Sequence, residues 1–328
     1  MKRFKRILCV ATGYGESKVA LERAVNLAES NQASLTLAAI APELPTGAAR
    51  SGSGSRSNHP QAAAVSRLQQ SLGEIAAAYR DRIDIEIEIL RGVPFQEIIR
   101  NVLRNHRDLV IKVSEPGDWM DRVFGSEDMH LLRKCPCPLW LLKPKAPKSY
   151  RRVIAAVDVG DEYPEAEIKT RWALNRDVLH LASSVALADF AELHIVSAWE
   201  AVGESTLRGG FINTPAAEVS AYVEGIRRRQ QRNLDRLIDE AANYLDRGAL
   251  EYLEPQIHLV KGPPRREIPA AAHRLGADLV VMGTVARTGV PGLLIGNTAE
   301  TILNQIDCSV LAVKPAAFVT PVTLEDLA

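Results

Sequence analysis

Asp108-Leu109-Val110-Ile111 and Asp278-Leu279-Val280-Val281 are one phrase written twice, 170 residues apart. Each follows a Gly-x-Pro step at the same distance, Gly92-Val93-Pro94 with Ile98 in the first half and Gly262-Pro263-Pro264 with Ile268 in the second. Lys143-Pro144 returns as Lys314-Pro315, and Ile7-Leu8-Cys9-Val10 behind Lys5-Arg6 returns as Ile154-Ala155-Ala156-Val157 behind Arg151-Arg152. Landmarks that keep their order at near-constant offset mark an internal duplication. The offset at the start is only 146, from Thr12 to Asp158, so the second half carries insertions, placed at Asp161–Arg171 and Val202–Pro215. Two similar domains are expected, residues 1–146 and 150–316, with 317–328 as a C-terminal tail.

Within each half, short β-branched runs alternate with helical periods. In the first half the strands are expected at Ile7–Thr12, Ser34–Ile40, Ile83–Leu90, Asp108–Val113 and Pro138–Leu142, and the helices at Ser17–Glu29, Gln61–Arg80, Phe95–Asn105 and Glu127–Lys134. Strands as continuously apolar as Leu109-Val110-Ile111 are buried on both faces, which places them in a parallel sheet covered by helices. The fold class is therefore α/β, as two tandem open five-stranded parallel sheets with helices on both faces. Thr46–His59, centred on Ser51-Gly52-Ser53-Gly54-Ser55, breaks every period and reads as a mobile loop.

Composition narrows the function. The 328 residues are 46% hydrophobic and 24% charged, which excludes a largely disordered chain. Forty basic residues balance forty acidic ones, so the basic excess of a nucleic-acid binder is missing and no such partner is expected. Arg227-Arg228-Arg229 precedes Leu234, Leu237, Ile238 and Ala241 at helical spacing and reads as the solvated face of an amphipathic helix. The apolar run after the basic start stops by Ala11, too short for a signal-peptide core, and no later stretch is long enough to span a membrane. A cytoplasmic protein with reduced thiols is expected.

The segment richest in chemistry runs from Met282-Gly283-Thr284 through Ala286, Arg287 and Gly289 to Gly296-Asn297-Thr298-Ala299-Glu300. It leaves a strand and enters a helix, for which Asn297 is the expected N-cap, with Glu300 completing a capping-box variant. Free amides at such a helix start suit phosphate. Asp158 ends the domain's first strand, at the carboxyl edge where open α/β sheets bind ligands, and could accept from a ribose hydroxyl or hold a metal ion. The same loop could equally do no more than join a strand to a helix.

These residues resemble the universal stress proteins, whose loop reads Gly, two residues, Gly, nine residues, Gly, then Ser or Thr, with an acid ending the first strand. Gly283 and Gly296 match the outer glycines, Asp158 the acid, and Arg287 and Gly289 common loop residues. Ala286 stands where the middle glycine belongs, and Asn297 replaces the hydroxyl residue. The similarity extends over nearly the whole chain. It is strongest to tandem, E-type members, through Gly283-Thr284-Val285, Gly296-Asn297-Thr298-Ala299-Glu300, His130–Pro136 and the tail Phe318–Val322. The resemblance implies the adenine nucleotide alpha hydrolase-like fold and a role in survival under stress, including oxidative or DNA-damage stress. Family members divide into ATP binders and non-binders whose loop has lost the pattern; for a binder the resemblance implies an ATP site, with magnesium as cofactor, at Asp158, Gly283, Thr284, Arg287, Gly289, Gly296, Asn297 and Thr298. It also implies slow hydrolysis at most and two halves paired as an intramolecular pseudo-dimer, with a homodimer as the further expectation; Pro138–Leu142 and Ser309–Val313 are the expected edge strands at that junction, because a β-rich terminal strand left open would invite wrong pairing.

The first half departs further from the pattern. Thr12 stands in place of the acid, and its loop carries Glu115, Pro116, Asp118 and Asp121 before Gly125-Ser126. Glu127 and Asp128 then suit the helix dipole themselves and compete with any phosphate. Trp119, Met120 and Phe124 make this loop apolar, either because it packs on its own domain or because it presents a ligand or partner surface with Gly125 and Ser126. That second possibility is the alternative function, a scaffold that binds a partner protein or apolar ligand through this loop and the inter-domain cleft.

Cys135-Pro136-Cys137 lacks a second Cys or His pair at zinc spacing, and its thiols are expected to point to different faces as small buried residues. Cys9 and Cys308 read as core, His130 as a packing residue and His258 as exposed. No metal site and no catalytic residues are assigned. Gly-x-Ser-x-Gly, His-Glu-x-x-His and phosphate-loop signatures are all missing.

Overall fold

A computed structural model describes residues 4–11, 17–41, 59–115, 124–209, 214–244, 247–284 and 295–324. The chain forms two compact units. One holds the described residues up to Lys148 together with the tail from Val319, and the other spans Ser149–Phe318. The tail is tied to the first unit where Arg100 Nε donates to the Thr323 carbonyl at 3.2 Å.

The first unit runs β1 (Arg6–Ala11), α1 (Ser17–Asn31), β2 (Ser34–Ala41), α2 (His59–Ala77), β3 (Ile85–Arg91), α3 (Pro94–Asn105), β4 (Leu109–Val113), α4 (Ser126–Lys134) and β5 (Leu139–Leu142). Its strands lie in the order β3-β2-β1-β4-β5, all parallel. The crossovers run one way from β1 to β3 and the other way from β3 to β5. Right-handed crossovers then put α1 and α2 on one face and α3 and α4 on the other. Ile7, Leu8, Cys9 and Val10 on β1 and Leu109, Val110 and Ile111 on β4 are fully buried, as strands covered on both faces require.

The second unit repeats the plan with β6 (Arg152–Val157), α5 (Glu165–Asp189), β7 (Glu192–Trp199), α6 (Glu204–Arg208), α7 (Ala216–Tyr244), α8 (Arg247–Leu253), β8 (Gln256–Lys261), α9 (Pro264–Leu275), β9 (Leu279–Gly283), α10 (Asn297–Leu303) and β10 (Ser309–Val313). Its order is β10-β9-β6-β7-β8, again parallel. The inserted residues lengthen elements rather than add strands. Helix α5 has 25 residues against 15 in α1, and α7 has 29 against 19 in α2.

The repeated Gly-x-Pro step has a steric cause. Gly92 and Gly262 sit at φ +125° and +142°, where L side chains are rare, and a Cβ at Gly262 would stand 2.5 Å from Glu267 Oε1. Each proline then opens its helix at the first position, where no N–H is needed. On α7, Leu234, Leu237 and Ala241 are buried while Arg227 and Arg228 pair with Glu224 on the outer face, as the spacing requires. His59 belongs to α2; the rest of the Thr46–His59 stretch lies outside the described residues.

Candidate functional site

In the second unit the strand order reverses between β6 and β9, and ligands of open α/β sheets bind at the carboxyl ends of strands at such a point. Asp158 follows β6 directly. Both its backbone groups are held by buried Asn175 of α5, whose Oδ1 accepts the Asp158 amide at 3.1 Å and whose Nδ2 donates to the Asp158 carbonyl at 2.6 Å. Asp158 thereby stands on the wall of a cavity of about 470 Å³. That cavity is also lined by Gly283, Thr284, Gly296, Asn297 and Thr298, and by apolar Ala156, Leu174, Ile268, Met282 and Ile302. Arg287, Gly289 and Ala286 lie outside the described residues.

Thr284 is buried, its amide donates to the Val313 carbonyl at 3.1 Å, and its own carbonyl accepts the Gly296 amide at 3.0 Å. It closes the two ends of the loop onto β10. Its hydroxyl lies 3.5 Å from the same Val313 carbonyl.

The N-cap expectation is corrected by one residue. Gly296 caps α10 with φ −74° and ψ 141° and no side-chain bond, so Asn297 is the first helical residue and the capping box is not formed. The first unit contained the signal, because Gly125 and Ser126 occupy the same two positions at α4. Gly296 has an ordinary φ, and the nearest atom to a Cβ built there is 4.0 Å away. Among the described residues, nothing packed against this position demands glycine.

Three residues absent from the sequence expectation complete the site. Arg171 Nη1 pairs with Asp158 Oδ2, while Arg171 Nε and Nη2 donate to Glu167 Oε1 at 3.0 and 2.7 Å. The guanidinium carbon lies 3.7 Å from the centroid of the Tyr163 ring, and the Tyr163 hydroxyl donates to Asp158 Oδ2 at 3.2 Å. Burial, and then the Asp158 charge, push the Tyr163 hydroxyl up to about 12. All three residues come from the stretch expected as an insertion, and its excess length immediately after Asp158 was their only sequence signal.

The corresponding place in the first unit carries a buried charge cluster instead. Lys112 Nζ on β4 is buried and donates to Asp128 Oδ1 at 2.7 Å and Glu115 Oε1 at 2.9 Å. Asp128 Oδ2 accepts the Glu115 amide at 2.7 Å, and Glu127 Oε2 accepts the Phe95 amide at 3.1 Å. Burial raises the Asp128 pKa against the opposing pull of Lys112. Glu115, Glu127 and Lys112 line a cavity of about 430 Å³ together with Ser71 and mainly apolar side chains, including Val10, Ile40, Leu72, Phe95 and Ile98. Phe124 is fully buried with Lys143 Nζ 4.2 Å from its ring centroid, so it offers no exposed surface. Gly125 caps α4 and Ser126 is exposed at its first position. Trp119 and Met120 lie outside the described residues.

Other expectations are refined. Cys135 and Cys137 are both buried and flank a bend, but they do not face apart: their Sγ atoms lie 3.6 Å from each other. His130 stacks on Phe95 with ring centroids 4.5 Å apart. His258 is half-buried rather than exposed, its Nε2 3.1 Å from His194 Nδ1. Cys308 is half-buried just before β10, whereas Cys9 is core.

The sequence pattern of the Universal stress protein family matches residues 3–143 and again residues 149–314. The chain belongs to the universal stress protein family. Universal stress protein E of Escherichia coli K12 is 32% identical to it over 246 residues, 74% of this chain and 72% of that one. The Universal stress protein E homolog of Haemophilus influenzae is 28% identical over 324 residues, 96% of this chain and 98% of that one. A solved structure of a functionally unknown protein from Pseudomonas aeruginosa PAO1 superposes with a TM-score of 0.67 at 26% identity, covering 95% of this chain and 93% of that one. A universal stress protein from Archaeoglobus fulgidus shares the fold at 16% identity, with a TM-score of 0.55 over 95% of this chain and 97% of that one. Among the described residues, no helix of this universal stress protein is long and apolar enough to cross a membrane.

Magnesium, which the family resemblance implies beside ATP, does not fit the residues present. Mg²⁺ demands near-octahedral oxygen ligation. Asp158 Oδ2 already accepts from Arg171 and Tyr163, and its Oδ1 accepts the Gly160 amide at 3.1 Å. Asn297 offers no hydroxyl, and among the described residues no three His, Cys, Asp or Glu side chains converge on a common point. Two unit charges 4 Å apart near a protein surface interact by about 4 kcal/mol, and a dication doubles this, so an ion seated on Asp158 would be repelled by the guanidinium already there.

Proposed function

We propose that this chain is a stress-response binding protein whose second unit holds an adenine nucleotide, with slow hydrolysis at most. The observation that carries the reading is convergence. Asp158 and the glycines of a loop more than a hundred residues further on line one cavity of about 470 Å³ at the sheet's switch point. Gly296 puts no side chain into the cavity, and among the described residues nothing packed against it requires glycine. Among the described residues no general base beside a nucleophile and no metal-ligand set lines the cavity, which argues for binding rather than turnover. Calorimetry with ATP on the wild type and on Asp158→Ala tests the proposal. Binding by the wild type and its weakening in the variant are expected; no heat at millimolar nucleotide from either protein would refute it.

The first unit supports a second, different reading. Its cavity of about 430 Å³ has mainly apolar walls, and the one cation lining it among the described residues, Lys112, is buried and bound to carboxylates, so it suits an uncharged, largely apolar ligand. Mass spectrometry of the natively purified protein tests this reading. A co-purifying apolar molecule that is lost on Leu72→Glu is expected, and a nucleotide retained by the isolated Asp158→Ala variant would contradict it.

A further inference from the structure

Resting on the nucleotide reading above, we infer that Arg171 is the site's built-in cation and that it receives the ligand's phosphate without a divalent metal. The residue is supplied by the extra turns of α5, a helix of 25 residues whose counterpart in the first unit has 15. Those turns place Arg171 on the cavity wall beside Asp158, and its side chain keeps 16% of its surface exposed.

The guanidinium is fixed from two sides. Glu167 Oε1 takes Nε and Nη2 at 3.0 and 2.7 Å, and the Tyr163 ring lies under the guanidinium carbon at 3.7 Å. With Nη1 on Asp158, three of its five N–H bonds are engaged and two have no partner among the described residues. A planar cation held in this way has little conformational freedom left to lose when an anion arrives, which is what bidentate phosphate recognition needs.

The charges that face it are the Asp158 and Glu167 carboxylates and the Tyr163 hydroxyl. Glu167 holds the stem side of the guanidinium and can stay in place. Asp158 is the partner a phosphate displaces or shares. The first unit supplies the contrast: Lys112 is 3% exposed and its ammonium is bound to two carboxylates, so that cation is closed to ligand.

The test is calorimetry on the full chain with ATP and with adenosine, each in magnesium and in EDTA, for wild type, Arg171→Gln and Arg171→Lys. ATP affinity in wild type should agree within about twofold between magnesium and EDTA, since no metal ligand set is involved. Arg171→Gln should weaken ATP about tenfold or more, the scale of a charge-assisted hydrogen bond, while adenosine moves less than about threefold. Arg171→Lys should recover part of the ATP affinity, and the salt dependence of ATP binding should flatten in Arg171→Gln.

A requirement for magnesium, or equal losses for ATP and adenosine in Arg171→Gln, overturns the inference. Adenosine that binds as tightly as ATP also overturns it while leaving the nucleotide reading standing. Binding of neither ligand removes both. The magnesium arm needs only the wild-type protein, so it decides even if a variant fails to fold.

Discussion

Gly283 lies so close to Leu174 that a Cβ added to the glycine would stand 2.5 Å from Leu174 Cδ2 and 2.9 Å from its Cγ. The residue marks the carboxyl end of β9, and Leu174 is buried on the inner face of α5. The contact gives a loop glycine a packing reason independent of any ligand.

Gly283→Ala should therefore destabilise the second unit by about 1–3 kcal/mol through overpacking. Leu174→Ala in the same chain should recover part of that loss, because the two residues share one contact and their effects do not add. Urea denaturation of the two single variants and the double variant measures the coupling. Additive losses would show that the glycine is needed for some other reason.

Lys112 and Asp128 form a buried pair, 3% and 0% exposed. Removing one partner leaves an uncompensated charge, so Lys112→Met should cost about 3–5 kcal/mol. Methionine is what the second unit carries at the matching strand position, Met282. Combining Lys112→Met with Asp128→Leu replaces the pair by apolar packing and should return stability to within ~1–2 kcal/mol of wild type. Denaturation midpoints for the three chains check this, and a double variant no more stable than Lys112→Met would contradict it.

The sequence made the strands legible because burial on both faces leaves little choice of residue, as in Leu109–Val113 and Leu279–Gly283. The insertion at 161–171 was legible as well, since it shifts the offset between the halves. Its consequence was not: nothing in local spacing says that Arg171, thirteen residues after Asp158, turns back onto it. Cys135 and Cys137 were misread because strand alternation puts i and i+2 on one face, not on opposite ones, and the bend at Pro136 draws their sulfurs closer still, to 3.6 Å. Asn297 was displaced by one position because its amide side chain is a good cap, whereas the backbone geometry falls on Gly296.

The thiols should divide sharply by accessibility. Burial pushes Cys9 up to about 12, and contact with Cys135 together with burial raises Cys137. Thiolate is the reactive form, so both should be inert in the native state. Cys308, half-buried before β10, should alkylate first. Peptide mapping after brief iodoacetamide treatment at neutral pH should find label at Cys308, with Cys9, Cys135 and Cys137 labelled only in denaturant. Native labelling of Cys137 at a rate comparable to Cys308 would refute the assignment.

The histidine pair makes stability depend on pH. His194 Nδ1 and His258 Nε2 are 3.1 Å apart across β7 and β8, so one ring donates the shared hydrogen and the other accepts it. Burial is the first cause that lowers both groups. Arg152 also lowers His194, the charges of His194 and Arg274 also lower His258, and Glu192 opposes the shift at His194. With folded values below the ordinary ~6.5, the unfolded chain binds more protons as pH falls through that value. The pair's contribution is therefore full above pH ~6.5 and is lost progressively as pH falls from there toward the lowered folded values. Urea midpoints should drop between about pH 7 and 5, and amide exchange along β8 should quicken over the same interval. His194→Gln/His258→Gln should show a shallower fall, because neither position can then take up the proton that separates the strands. Equal slopes in wild type and double variant would place the pH dependence elsewhere in the molecule.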